Sequence, residues 1–224
     1  MHRRVKSYVL RAGRTSKRQQ QALDNWVDNY LLPKDSNIWD LDEAFGRKAE
    51  TIVEIGFGMG ASLFNMAKAK PEVNFIGIEV HLAGVGSLVA DLEHNDIENV
   101  RIASFDAVEA LNNIADGVLS GVQIFFPDPW PKKRHHKRRL IQSEFIEMLL
   151  KKLKPSGFIH CATDWEEYAY WILDVLEQNA TLINLQEEGG FIPRPDHRPL
   201  TKFEKRGQKL GHGVWDMMFE KTIS

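Results

Sequence analysis

Cysteine is almost missing from this 224-residue chain: Cys161 is the only one. No internal disulfide can form, so the fold is expected not to depend on an oxidising compartment. Cys161 sits in the apolar stretch FIHCAT and is expected to pack as a small core residue rather than serve as a thiolate. Long hydrophobic runs are missing too. None approaches the length needed to cross a bilayer, and MHRRVKSYVLRAGRTSKRQQQ has no apolar h-region of secretory type. Both absences point to a soluble, cytoplasmic protein with no membrane partner. There is no internal repeat, no low-complexity tract and no Gly/Ser linker. A composition of 43% hydrophobic and 27% charged residues is that of one globular domain with a sizeable core.

Acidic residues are absent from Met1 to Leu23, a stretch that holds seven Lys and Arg. A second basic block runs from Lys132 to Arg139, and Lys202, Lys205, Arg206 and Lys209 form a third. The net charge of −2 conceals these patches, and several of them in a near-neutral chain suggest a polyanionic partner. The organisation predicted is a basic arm and helix over residues 1–32, then a single domain over residues 33–224. No heptad or interface stripe separates a monomer from a homodimer.

From Thr51 onward short β-rich runs alternate with helical ones. TIVEIGF, NFIGIEV, VRIASF, VQIFF and GFIHCAT read as buried strands, being apolar, rich in Ile, Val and Phe, and bounded by Gly, Asp or Pro. Between them ASLFNMAKAK, AGVGSLVADLEHN, AVEALNNI and RRLIQSEFIEMLLKKLK have helical periodicity, and WEEYAYWILDVLEQN follows. TLINLQE and VWDMMFEKT alternate with a period of two, as an antiparallel edge pair would. The fold class expected is α/β, with a mostly parallel sheet, helices on both faces and an antiparallel C-terminal strand.

The first strand ends in EIGFGMG, with glycines at Gly56, Gly58 and Gly60. Glycines let the backbone turn sharply and let a ligand approach where a Cβ would collide. The spacing is G-x-G-x-G, not the G-x-G-x-x-G of dinucleotide sites, and Glu54 precedes it. A carboxylate there repels pyrophosphate but suits a cofactor that carries an amino group and a sulfonium. An NAD-dependent oxidoreductase is therefore disfavoured. The second strand ends at Glu79, from which a carboxylate can take both ribose hydroxyls of an adenosine, and the third at Asp106, which can accept from an adenine amino group. The alternative is that Glu79 and Asp106 cap the helices that follow them.

The fourth strand delivers Asp128 to the same edge, in QIFFPDPWPKKRHHKRR. Pro127 and Pro129 fix the backbone and Trp130 offers a flat apolar surface against which a planar base can lie. The block after it can neutralise phosphates. His135 and His136 invite a metal reading, but adjacent histidines among six cations would repel a divalent ion, and no carboxylate or cysteine ligand lies near in sequence. A nucleic-acid contact is the better reading, and no metal is expected.

VEIGFGMG, GIEVH, FFPDPWPKKRHHKRR, CATDWEEYA and TKFEKRGQKLGHGVWDMMF resemble the motifs of bacterial tRNA (guanine-N7)-methyltransferases, which methylate guanine 46 in the tRNA variable loop. The likeness runs over almost the whole chain, and the PDPWPKKRHHKRR and TKFE strings carry more of it than the glycine loop. Pro131 departs from it, standing where related sequences often have another residue. The resemblance implies a class I methyltransferase fold that uses S-adenosylmethionine, with tRNA as partner. It places Glu54, Glu79, Asp106 and Asp128 at the methyl donor, with Asp128 the catalytic residue. Lys132, Asp164, Thr201, Lys202, Phe203 and Glu204 would meet the substrate, and Arg134, His135, His136, Lys137, Arg138 and Arg139 would contact RNA. Guanine N7 has an in-plane lone pair and no proton, so no general base is required; alignment with the sulfonium methyl should supply most of the acceleration. A methyltransferase for another RNA or for protein, and a non-catalytic RNA-binding module, are the competing readings.

Overall fold

The runs that read as strands assemble into one sheet. In the computed structural model, which describes residues 14–35, 37–200, 204 and 213–223, seven strands stand in the order β3-β2-β1-β4-β5-β7-β6. β1 (Thr51–Ile55), β2 (Asn74–Ile78), β3 (Val100–Ala103), β4 (Leu119–Phe125) and β5 (Leu153–Thr163) are parallel. β7 (Trp215–Lys221) runs antiparallel to β5 and to β6 (Leu182–Asn184), the edge strand. Every residue of β1 and β2 is buried, and strands covered on both faces read as continuous apolar text.

One face carries α1 (Lys17–Asn25), α3 (Ala61–Ala69) and α4 (Leu82–Glu93), packed on a core that includes Leu63, Phe75 and Leu88. The other carries α2 (Leu41–Phe45), α5 (Ala107–Asn112), α6 (Ser143–Lys152) and α7 (Glu166–Glu177), around Ile124, Phe145 and Ile172. Cys161 is fully buried among the latter, and burial pushes its thiol pKa up, away from thiolate chemistry. Each fully buried Leu or Ile contributes about 1.5–3 kcal/mol, so these two cores dominate the stability of the fold.

α1 begins where a capping box forms: Ser16 Oγ accepts from the Gln19 N–H while Gln19 Oε1 accepts from the Ser16 N–H. α2 has no periodic signal in the sequence. Asp40 caps it, and Gly46 ends it in the left-handed conformation.

One predicted element is shorter than its text suggests. RRLIQSEFIEMLLKKLK becomes helical only at Ser143, and Lys133–Arg138 forms a separate 3-10 turn. The reason is local: Ile141 is drawn into the core, and Gln142 Nε2 donates to the carbonyls of Lys137 and Arg139, occupying acceptors that a continuous helix would use. Strand order reverses between β1 and β4, and a crevice opens there at the carboxyl ends of the strands, where ligands of open α/β sheets bind.

Candidate active site

The crevice wall includes Ile55 and Gly56 at the end of β1, Ile78 to His81 at the end of β2, Phe105 and Ala107 after β3, and Phe125 to Asp128 at the end of β4. Gly56, Gly58 and Gly60 all have positive φ (75°, 57° and 82°), so the turn needs residues without a Cβ. Glu79 ties that turn down. Its Oε2 accepts from the Gly58 N–H at 2.9 Å, and its Oε1 accepts from the Val80 and His81 N–H groups at 2.7 and 3.0 Å. A Cβ on Gly84 would come within 2.0 Å of the Gly58 carbonyl oxygen, so α4 presses directly on the glycine turn.

The two acids that the sequence leaves as helix caps or ligand contacts differ in the structure. Glu79 does not stand at the N-cap of α4: that position is His81, whose side chain makes no cap bond, and Glu79 accepts instead from the N–H groups of Val80 and His81 just before the helix. Asp106 does cap α5: Oδ1 accepts from the Val108 and Glu109 N–H groups at 3.0 and 3.3 Å. Glu54 is different again. It is 2% exposed, its Oε2 has no hydrogen-bond partner, and burial alone pushes its pKa up to about 8. The crevice wall starts at Ile55, the next residue. A buried carboxyl of this kind is neutral when alone and ionises when a cation arrives, so an orphaned oxygen beside the glycine turn suits an amino-bearing ligand.

On the β4 side the backbone is strained. Phe126 and Trp130 have φ of 52° and 44°, left-handed values for bulky residues, each costing about 1–3 kcal/mol. The exposed Asp128 stands between them. Two contacts hold the loop: the Phe126 N–H donates to the Ala162 carbonyl at 2.7 Å, and Arg139 Nε donates to the Pro129 carbonyl at 3.0 Å.

Arg139 corrects an expectation. Its guanidinium is buried, pairs with Glu167 at 2.5 Å, and lies 4.9 Å from the ring centroids of both Tyr168 and Trp171. It therefore braces the loop from inside and does not present itself to RNA. The Arg139 guanidinium in turn holds the Glu167 carboxyl below its usual range.

The rest of the basic block divides by exposure. Lys132, Lys133, Arg134 and Lys137 are exposed. Arg138 lies over the Trp130 ring at 5.0 Å, His135 meets the same ring edge-on, and His136 meets Trp171. His135 is held below its ordinary pKa by burial and then by Arg134 and Arg138. Asp164 is exposed at the end of β5, where the Trp165 N–H donates to Thr163 Oγ1.

Thr201, Lys202 and Phe203 lie outside the described residues. Glu204 is buried, and both its oxygens accept from Arg198, at 2.7 and 2.6 Å, which corrects the expectation of direct substrate contact for its carboxylate. Arg198 also grips Asp216 on β7 through two 2.7 Å bonds, and Asp216 accepts from His160 Nε2 at 2.9 Å. The sequence reading missed Arg198, Asp216 and His81. A His directly after a strand-end acid, as in GIEVH, was the available cue for the last. Among the described residues no cluster of His, Cys, Asp or Glu is arranged to hold a metal ion.

A family model described as "Putative methyltransferase" matches residues 48–217. A protein of Legionella pneumophila (strain Paris) is 65% identical over 99% of this chain and 95% of its own length, and one of Pseudomonas putida (strain W619) is 51% identical over 99% and 92%. Both are named tRNA (guanine-N(7)-)-methyltransferase. Among solved structures, the 16S rRNA methyltransferase KamB superposes with a TM-score of 0.60 at 10% identity, over 84% of this chain and 95% of that one. That likeness is one of fold.

Proposed function

The chain belongs to the tRNA (guanine-N(7)-)-methyltransferase family, and from that premise we propose that it transfers the methyl group of S-adenosylmethionine to N7 of guanine 46 in the tRNA variable loop, in the cytoplasm. The observation that carries the reading is the strained loop from Phe126 to Trp130, which sets Asp128 at the crevice mouth with exposed cations directly behind it. No helix among the described residues is long and apolar enough to cross a membrane.

S-adenosylmethionine, when bound, supplies an electrophilic methyl on a sulfonium. Glu54 fits its amino group, because an orphaned buried carboxyl oxygen gains a partner there. Glu79 has three N–H donors on its two oxygens, which leaves room for about one more of the roughly four bonds a carboxylate accepts, as a ribose hydroxyl would require. Asp106, between the crevice-lining Phe105 and Ala107, is the acid assigned to the adenine amino group on this reading, while its Oδ1 caps α5.

On the acceptor side Asp128 and Asp164 can accept from guanine N1 and N2 and offset the positive charge that N7 alkylation leaves on the purine. The strained loop fixes Asp128 before the base arrives, which lowers the reorganisation needed at reaction. Lys132, Arg134 and Lys137 meet phosphates, and Arg138 stiffens Trp130 as a platform for the base. Residues 1–32 add a basic arm to the same task.

Mass spectrometry of nucleosides from a tRNA transcript incubated with the protein and S-adenosylmethionine tests this. 7-Methylguanosine should form, and should vanish when the variable-loop guanine is replaced by adenine. A different methylated nucleoside would overturn the substrate assignment.

A further inference from the structure

A row of polar side chains crosses the sheet at one level. Glu54 on β1 is the in-register partner of Gln123 on β4, and Gln123 is that of His160 on β5. In-register residues of parallel strands point to the same face, with strands about 4.8 Å apart. All three are buried, and each has one polar atom without a partner: Glu54 Oε2, Gln123 Oε1 and His160 Nδ1. On its other flank Glu54 is in register with Gly77, where the side chains of Phe57 and Leu63 crowd in. Buried orphans are rare one at a time, and three in adjacent register positions call for a common explanation.

We propose that Glu54, Gln123 and His160 form a one-way hydrogen-bond relay: the Glu54 carboxylic acid donates to Gln123 Oε1, the Gln123 amide N–H donates to His160 Nδ1, and His160 Nε2–H donates to Asp216. Gln123 and His160 are then positioning residues that tie the methyl-donor side to Arg198 and Glu204, at the segment that carries the TKFE string. The relay rests on the function proposed above. Every orphan in the row gains a partner by it. Glu54 is in its acid form at neutral pH, burial being the only influence resolved on it. His160 bonds Asp216, which Arg198 grips, and its ring lies 5.4 Å from that of His197; burial pushes His197 down to about 4, and it is neutral.

A cationic amine bound against Glu54 breaks the acid's O–H bond; the proton passes to solvent and the electron pair stays on the carboxylate, which now accepts from the amine. Gln123 loses its donor at that moment, and the change is felt at His160 and Asp216. Binding at the donor site and binding of tRNA are thereby coupled.

The test uses the full chain, with S-adenosylhomocysteine as probe and a tRNA transcript. In the wild type the tRNA dissociation constant should change by about fivefold or more when the probe is saturating. In Gln123→Met that ratio should fall to about one while tRNA affinity without the probe stays within about threefold. Gln123→Glu, which can accept on one oxygen and donate from the other as an acid, should restore part of the ratio and guards against a folding defect in the Met variant. Calorimetry in buffers of different ionisation heat should show about one proton released per probe bound at neutral pH, lost in Glu54→Gln. A wild-type ratio of one, or an unchanged ratio in Gln123→Met with turnover intact, overturns the relay alone. Failure of the probe to bind, or of 7-methylguanosine to form, overturns the function and the relay together.

Discussion

The two halves of the crevice are held in different ways. At the β1 to β3 edge the carboxylates are gripped by the chain's own amides: Glu79 by three N–H groups and Asp106 by two. At the β4 to β7 edge the work is done by buried guanidinium groups, Arg139 under the Asp128 loop and Arg198 beside Asp216 and Glu204. Sequence distance does not separate them, since Glu79 reaches Gly58 across 21 residues and Arg198 reaches Asp216 across 18. What differs is the partner: backbone amides, which no substitution short of proline removes, in the first half, and charged or aromatic side chains, which one substitution can remove, in the second.

The largest effect should come from the β4 loop. Asp128→Asn is expected to lower kcat about 10²–10³-fold, the cost of one preorganised charge-stabilising group, while S-adenosylhomocysteine affinity stays within about threefold. Single-turnover kinetics with calorimetry reads both, and equal losses in the two would remove Asp128 from the charge-stabilising role.

Next comes the brace. Arg139→Ala should cost roughly 2–4 kcal/mol in urea unfolding, because the Pro129 carbonyl, Glu167 and two aromatic rings lose their partner at once. Activity should fall with stability, whereas a fully stable Arg139→Ala that merely binds tRNA less well would return Arg139 to the RNA surface.

Glu54→Gln addresses the donor half. The folded pKa of about 8 stands above the ordinary carboxyl value of 4.5, so the native state holds a proton that the unfolded chain releases between those limits. Stability from this group is present below the ordinary value and is lost as pH rises through about 8. The wild type should lose on the order of 4 kcal/mol relative to Glu54→Gln between pH 5 and pH 9. Parallel stability curves for the two proteins would mean that Glu54 is already ionised in the fold.

Smallest is Arg134→Ala: melting temperature unchanged, tRNA affinity down about threefold to tenfold, and a salt slope shallower by about one. Its contrast with Arg139→Ala, five residues on, measures how sharply the basic block divides into brace and contact surface.

The donor half was legible because its devices are local. A strand end, a glycine turn and an acid lie within a few residues of one another, and the five parallel strands follow from apolar runs bounded by turn residues. The acceptor half was legible only in outline. Arg139 ends a run of cations, and nothing in RHHKRR distinguishes the one that turns inward; that is decided by Tyr168 and Trp171 on α7. Arg198 is opaque for the same reason, since Asp216, its partner, comes from β7. The Asp106 cap was the less favoured of two readings of an acid at a strand end, and it rests on backbone N–H positions that the sequence does not display.

The Arg139 brace also orders events in time. Its partners Glu167, Tyr168 and Trp171 stand on α7, beyond β5, so the backbone at Phe126 to Trp130 has no reason to accept its left-handed turns until that helix has docked. The loop and α7 should therefore open and close as one cooperative unit, and their slow amides should exchange together while those of β1 and β2 remain protected. A ribosome that has released residues only as far as α6 holds a chain whose donor half can form and whose acceptor half cannot.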